Sequence, residues 1–276
     1  MKVEIRNALT KGECSKAVLL SSQLYDSRYS DNTIRMLHAS ALGCTAGIRV
    51  LDNLDQFSSF GGVNALGQFA RIFPSVLYDQ KLESVWLAQD ALMAILNPGT
   101  VVGPADQVNP NTPNSGSVLI SDRTVDSNVY MLFVSMATIG NTLYRYGTPD
   151  SSYNQGADIP WSSRALVQSD LSGSACGLAA GFLNFFDAFR TVKSLLSSSA
   201  ASSLDSFITT IEDPILTSMA PLDGGGMREC LADGNAQTVC DQVKTRLRFR
   251  KACSEQPAAA SFAAGIIKSI NLLWQP

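Results

Sequence analysis

The sequence is poor in the residues from which most enzyme active sites are built. It contains a single histidine, His38, and only 16% of its residues are charged, where about a quarter is usual. The motifs GxSxG, HExxH and CxxC are absent, which removes the serine-hydrolase elbow, the zinc-protease helix and the zinc ribbon. We therefore expect no enzymatic activity, no metal and no cofactor. His38 shares a helical face with apolar residues and is interpreted as structural.

Charge of one sign and long apolar runs are also missing. The net charge of −3 is a small difference between 21 bases and 24 acids, which gives no global attraction to nucleic acid. The most apolar window, Gly173–Leu196, is interrupted by Asn184, Asp187, Arg190 and Lys193, so it does not predict a membrane-spanning helix. We expect no nucleic-acid partner, and attachment to a membrane only through a lost lipid anchor.

Carboxylates and glycines give no discriminating pattern. A carboxylate pair can supply an acid and a base, and three carboxylates can bind calcium, but nothing resembles an EF-hand loop. We interpret these acids as solvated surface residues. The Gly224-Gly225-Gly226 run precedes a predicted helix but lacks the preceding strand and the GK[ST] ending of a phosphate loop, so it is interpreted as a connector. The carboxylates considered are Asp52 with Asp55, Asp122 with Asp126, Glu212 with Asp213, and Asp106 with Asp122 and Asp126.

Six cysteines are present, an even number that is compatible with disulfides. Cys14 and Cys44 fall on neighbouring predicted helices, and Cys230 and Cys240 flank a predicted turn. The preferred pairs are Cys14–Cys44 and Cys230–Cys240, which leaves Cys176–Cys253. The alternative is six buried, reduced cysteines. Disulfides predict an oxidising compartment, and we expect a periplasmic, outer-membrane-anchored or extracellular protein whose targeting segment was removed and replaced by Met1.

Helical periodicity runs through most of the chain and predicts an all-α fold of stacked antiparallel hairpins. Val118-Leu119-Ile120 is the only convincing β-run, at the end of a Pro/Asn-rich loop, 97–122. A second polar loop covers 148–160. We expect one domain, 1–276, with a possible division into 1–97, a loop at 98–124 and a bundle at 125–276. Helices are predicted at 4–9, 13–25, 34–42, 63–73, 82–96, 125–146, 163–170, 173–196, 202–219, 227–232, 236–251 and 258–273.

The first 55 residues resemble the tetratricopeptide repeat. Gly12-Glu13 followed by Ala17 matches the start of the second helix of that repeat, and Leu42-Gly43 matches the Leu-Gly pair of the next first helix. Small residues at these positions let two helices approach closely. The resemblance implies a helical solenoid that binds partners and has no chemistry of its own. A helical bacterial envelope lipoprotein is similar.

Two groups of residues are candidates for partner binding. Five bases occur within the eight residues 244–251, after a segment (205–241) with seven acids and one base. Arg246 and Arg250 are the candidate anion-binding residues, and internal pairing of this basic helix with the acidic segment is the preferred alternative. Aromatic residues around the second polar loop are candidate interface anchors, with core capping as the alternative; they are Tyr144, Tyr146, Tyr153 and Trp161.

Taken together, these patterns predict a non-catalytic binding or scaffold protein of the bacterial cell envelope. It would engage a protein or peptide partner through a helical groove or through the loops 97–122 and 148–160. The alternative is a ligand-handling accessory component of an envelope transporter, with an enclosed apolar pocket lined by the helix 173–196. A third alternative is an enzyme that uses carboxylates alone.

Overall fold

The computed structural model is all-α over the residues that it describes. These are 1–28, 31–48, 65–72, 79–95, 125–147, 149–152, 154–156, 168–219, 247–248, 250–254 and 257–274. No strand occurs within these ranges, which confirms the predicted fold class; the run 118–120 lies outside them. In chain order the helices are α1 (Lys2–Thr10), α2 (Cys14–Arg28), α3 (Asn32–Thr45), α4 (Ala65–Ile72), α5 (Asp79–Ile95), α6 (Val125–Gly147), α7 (Gln168–Val192), α8 (Ser198–Ser218), α9 (Arg250–Ser254) and α10 (Pro257–Leu273).

Helices α1 to α3 pack on one another and form the N-terminal layer. They touch through small residues, since Ala8, Ala17 and Ala41 form one buried cluster. Gly12 serves a different purpose from the one that the repeat resemblance implied. A Cβ at this position would meet no atom, but its φ is +71°, a conformation that glycine adopts without strain. Gly12 therefore makes the turn between α1 and α2 rather than a helix crossing.

The main core lies around α6 and α7, which pack along each other and against most of the later helices. Phe69 of α4 meets Phe185 of α7 and Phe207 of α8 edge-on, with ring centroids 5.4 and 4.9 Å apart. Glycines on α7 admit side chains from its neighbours. A Cβ at Gly177 would lie 2.6 Å from the Nε1 atom of Trp86 on α5. The core is thus filled by interlocking aromatic and small residues.

Two disulfides are present in the described residues, one in the N-terminal layer and one in the main core. Cys14–Cys44 joins the start of α2 to the end of α3, and Cys176–Cys253 joins α7 to α9. Both are pairs that the sequence favoured; Cys230 and Cys240 lie outside the described residues. Disulfides are typical of oxidising, extracytoplasmic compartments. Among the described residues, no helix combines the length and the hydropathy needed to cross a membrane.

Two predicted helix limits in the second half of the chain are wrong. Helix α7 runs unbroken through Gly173, where a break was expected, because packing on its neighbours stabilises a helix more than propensity does. The serine run predicted to separate α7 from the next helix instead starts that helix, since the Ser197 hydroxyl accepts a hydrogen bond from the Ala200 amide (3.4 Å). Helix α8 continues past Pro214, in agreement with the predicted helix 202–219.

The predicted helix 236–251 is wrong at its C-terminal end. Arg248 lies in a turn, and α9 begins at Arg250. The reason is tertiary: the Arg248 carbonyl accepts a hydrogen bond from the Asn184 side chain of α7 (3.0 Å). The predicted helix that carries the bases of 244–251 is therefore interrupted at Arg248.

Candidate functional site

A groove opens where three helix ends meet: the start of α3, the end of α5 and the start of α6. Its volume is about 370 Å³, within the usual range for ligand sites. Its floor is apolar, because Leu37 and Ile95 are buried and Met36 is half-buried. We call it the terminal groove; it is lined by Arg6, Asn32, Thr33, Met36, Leu37, Ile95, Asp126 and Ser127.

Local sequence chemistry places α3 at this groove. Asp31 caps the helix, because its carboxylate accepts hydrogen bonds from the amides of Thr33 and Ile34. Thr33, Met36 and Leu37 then share one helical face at spacings of three and four. Lys2 of α1 donates to the Asp31 carboxylate (2.8 Å), and this hydrogen bond lowers the pKa of Asp31. The cap therefore also ties α1, which carries Arg6, to α3.

Two exposed residues of opposite charge lie on the rim of the terminal groove. Arg6 projects from α1 and Asp126 from the first turn of α6. Within the described part of the chain, neither side chain forms a salt bridge, with the other or with a third residue. The groove thus combines an apolar floor with one unpaired positive and one unpaired negative charge.

A second, smaller pocket lies on the surface of α1 and α2. Its volume is about 250 Å³, and its lining includes Glu4, Lys11, Glu13 and Lys16. Most of its charge is already compensated, since Lys16 pairs with Glu13 (3.0 Å) and Glu4 pairs with the terminal amine (2.9 Å). The terminal groove is therefore the better candidate for binding a charged partner.

His38 belongs to α3, and its side chain contacts residues of α2. Its Nδ1 atom is 3.1 Å from the Ser21 hydroxyl, and its ring stacks on Tyr25 with centroids 4.5 Å apart. Burial lowers the pKa of His38 to about 4. Ser21 is fully buried, so its hydroxyl cannot meet a substrate in this conformation. Ser21 and His38 therefore satisfy each other's hydrogen-bonding groups inside the N-terminal layer.

The described bases of the segment 244–251 make internal contacts. Arg248 forms a largely buried ion pair with Asp187 of α7. Arg250 pairs with Glu83 (3.2 Å) and lies over the ring of Trp86, 4.2 Å from its centroid. Internal pairing was expected to involve the acidic segment 205–241. The observed partners belong instead to α5 and α7. Arg246 lies outside the described residues.

Acids of the segment 205–241 also pair elsewhere. Asp205 accepts from Lys193 (2.7 Å), and Glu212 accepts from Arg190. Among the described residues no group of three His, Cys, Asp or Glu side chains is arranged to hold a metal ion. Of the carboxylates considered from the sequence, Asp52, Asp55, Asp106 and Asp122 lie outside the described residues, as does the run Gly224–Gly226.

The second polar loop is described in part. Asp150 organises a turn in which its carboxylate accepts from the amides of Ser152 (2.8 Å) and Asn154 (2.9 Å). Gln155 donates to Asn271 of α10 (2.9 Å), so this part of the loop packs on the helices. Of the candidate aromatic anchors, Tyr144 is half-buried against the main core. The side chains of Tyr146, Tyr153 and Trp161 lie outside the described residues.

The apolar helix α7 contacts its neighbours closely. Phe182, Phe185 and Phe186 contact one another and the rings of α4 and α8. A Cβ at Gly181 would lie 2.9 Å from the Cγ1 atom of Ile139. Side chains therefore occupy the surface of α7 where an enclosed ligand pocket was hypothesised.

No family model, curated protein or solved structure matches this chain. The terminal groove was not anticipated from the sequence as a site. Arg6, Met36 and Ile95 belong to separate helices, and each is ordinary in its local pattern. The one available signal was the Pro/Asn-rich segment, because its flanking residues Ile95 and Asp126 both line the groove.

Proposed function

We propose that this chain is a non-catalytic binding protein of the bacterial cell envelope, and that it engages a protein or peptide partner through the terminal groove. The groove itself carries the proposal: an open trough of about 370 Å³ with an apolar floor and a polar, charged rim. Concave apolar surfaces with a few polar groups are the usual form of binding sites. The tetratricopeptide-like start is part of this proposal, since solenoids of that type bind partners on grooves between helices.

The envelope location is supported by the two disulfides. A groove is favoured over an enclosed ligand pocket because aromatic and small side chains fill the contacts of α7. An open surface suits an extended or helical peptide, which can lay apolar side chains into it and leave its polar groups in water.

The test is a selection of short displayed peptides on the oxidised protein. Enriched peptides should lose at least about tenfold in affinity, or about 1.4 kcal/mol, when Thr33→Arg or Arg6→Glu alters the groove. Thr209→Arg and Lys11→Glu provide matched controls, because both residues are exposed and neither lines the groove. Peptides that bind the groove variants as well as the native protein, or failure to enrich any peptide, would contradict the proposal.

A further inference from the structure

The two rim charges of the terminal groove differ from several nearby charges of the N-terminal layer, which are paired. Lys2, Glu4, Glu13 and Lys16 each form a salt bridge. Arg6, on the same helix as Lys2, forms no salt bridge with a described residue, and neither does Asp126 in the first turn of α6. Both side chains are exposed, so the free protein holds them hydrated and available.

Apolar side chains form the floor of the groove that the two charges line. Leu37 and Ile95 are 8% and 5% exposed, and they form the floor together with Met36. A partner that only carried charge would leave this floor in water, while a purely apolar partner would desolvate two charges without pairing them, which is costly. The groove is therefore complementary to an apolar group that is flanked by an acid on one side and a base on the other.

We infer that the terminal groove recognises a peptide segment in which an apolar side chain lies between an acidic and a basic residue. The acidic residue pairs with Arg6, and the basic residue pairs with Asp126. This inference rests on the proposed function and specifies its partner. The pairs act mainly on specificity and on the rate of association, as is usual for charges on the rim of an interface.

The experiment uses synthetic peptides with blocked ends and one central leucine, titrated against the oxidised protein by fluorescence anisotropy. Glutamate and lysine flank the leucine in both orders, and control peptides carry two glutamates, two lysines or two glutamines. The better of the two mixed-charge orders should bind at least about tenfold more tightly than every control, and this advantage should shrink at high salt.

Single charge reversals of the protein provide the decisive arm. Arg6→Glu leaves two acids on the rim and should transfer the preference to the peptide with two lysines. Asp126→Lys leaves two bases and should transfer it to the peptide with two glutamates. Both sites are exposed, and unchanged circular dichroism and melting temperature will show that the variants fold.

Each outcome bears separately on the two proposals. Binding that is lost with Thr33→Arg but indifferent to peptide charge would overturn the inference and leave the proposed function standing. Absence of binding by every peptide, in the selection as well as here, would overturn both. Displacement of the best peptide by free leucine at equal concentration would also overturn the inference, because a small zwitterion would then be the occupant.

Discussion

The main core and the N-terminal layer of this protein are built on different scales. In the main core, long helices pack through phenylalanines that contact one another and through tryptophans that fit against glycines of neighbouring helices. In the N-terminal layer, shorter helices meet through alanines, two small apolar clusters and a capped turn. In the described residues, the large side chains of the main core contact one another closely. The terminal groove arises instead at the edge of the layer, where helix ends from both regions meet.

Removal of the disulfides should give the largest effect and should separate the two regions. Cys176–Cys253 spans 77 residues and Cys14–Cys44 spans 30. Because a longer loop restricts the unfolded chain more, the double alanine variants should lose about 4.5 and about 3.5 kcal/mol of unfolding free energy, respectively. Guanidinium unfolding without reductant measures both. A larger loss for the Cys14–Cys44 variant would break the comparison.

Truncation of a buried side chain compares the packing of the two regions directly. Phe185→Ala should cost about 3 to 5 kcal/mol, because its aromatic neighbours cannot close the cavity. Ile5→Ala, in the smaller cluster of the N-terminal layer, should cost about 2 to 3 kcal/mol. Urea unfolding monitored by circular dichroism gives both values. Leu195→Ala is the control, since Leu195 is 59% exposed, and equal costs for the two core variants would contradict the distinction.

Removal of an ion pair should also cost more stability in the main core than in the N-terminal layer. The Arg248 and Asp187 side chains are only 12% and 13% exposed, and the second partner of Asp187, Arg190, is 3.7 Å away and 56% exposed. Arg248→Ala therefore leaves a largely buried carboxylate with one weak partner and should cost about 3 kcal/mol. Lys2→Ala removes a pair whose members are 39% and 36% exposed and should cost less than about 1 kcal/mol. Thermal melts of both variants provide the measurement. A stability of Arg248→Ala equal to that of the native protein would instead favour an external role for the basic segment.

His38 should make the N-terminal layer sensitive to mild acid. Burial lowers the pKa of folded His38 to about 4, whereas an unperturbed histidine has a pKa of about 6.5, so the unfolded chain takes up the proton first. Stability should therefore fall as the pH drops below about 6.5 and level off below about 4, with a loss of about 2 kcal/mol by pH 5. His38→Gln should remove this component in urea titrations over that pH range. Parallel pH profiles for the variant and the native protein would refute the assignment.

Local sequence patterns predicted which segments are helical more accurately than they predicted where each helix begins and ends. The cap at Asp31 is a local feature, because its side chain accepts hydrogen bonds from amides two and three residues away. Ser197 was misread as a break, although its role as a cap was equally local. The limit at Arg248 could not have been found in this way, since it depends on Asn184, a residue 64 positions away in the chain.

The amino-acid sequence alone determined that this protein is helical, because helical periodicity and capping act over a few residues. It also favoured Cys14–Cys44, since these cysteines fall on neighbouring predicted helices, and it left Cys176–Cys253 as the remaining pair. Only the tertiary structure decided which charges are paired and which are free. Arg250 and Arg6 are both arginines of predicted helices. Packing brings Arg250 to Glu83 and Trp86 but leaves Arg6 on the rim of the groove. That difference depends on contacts between distant segments, which no local pattern encodes.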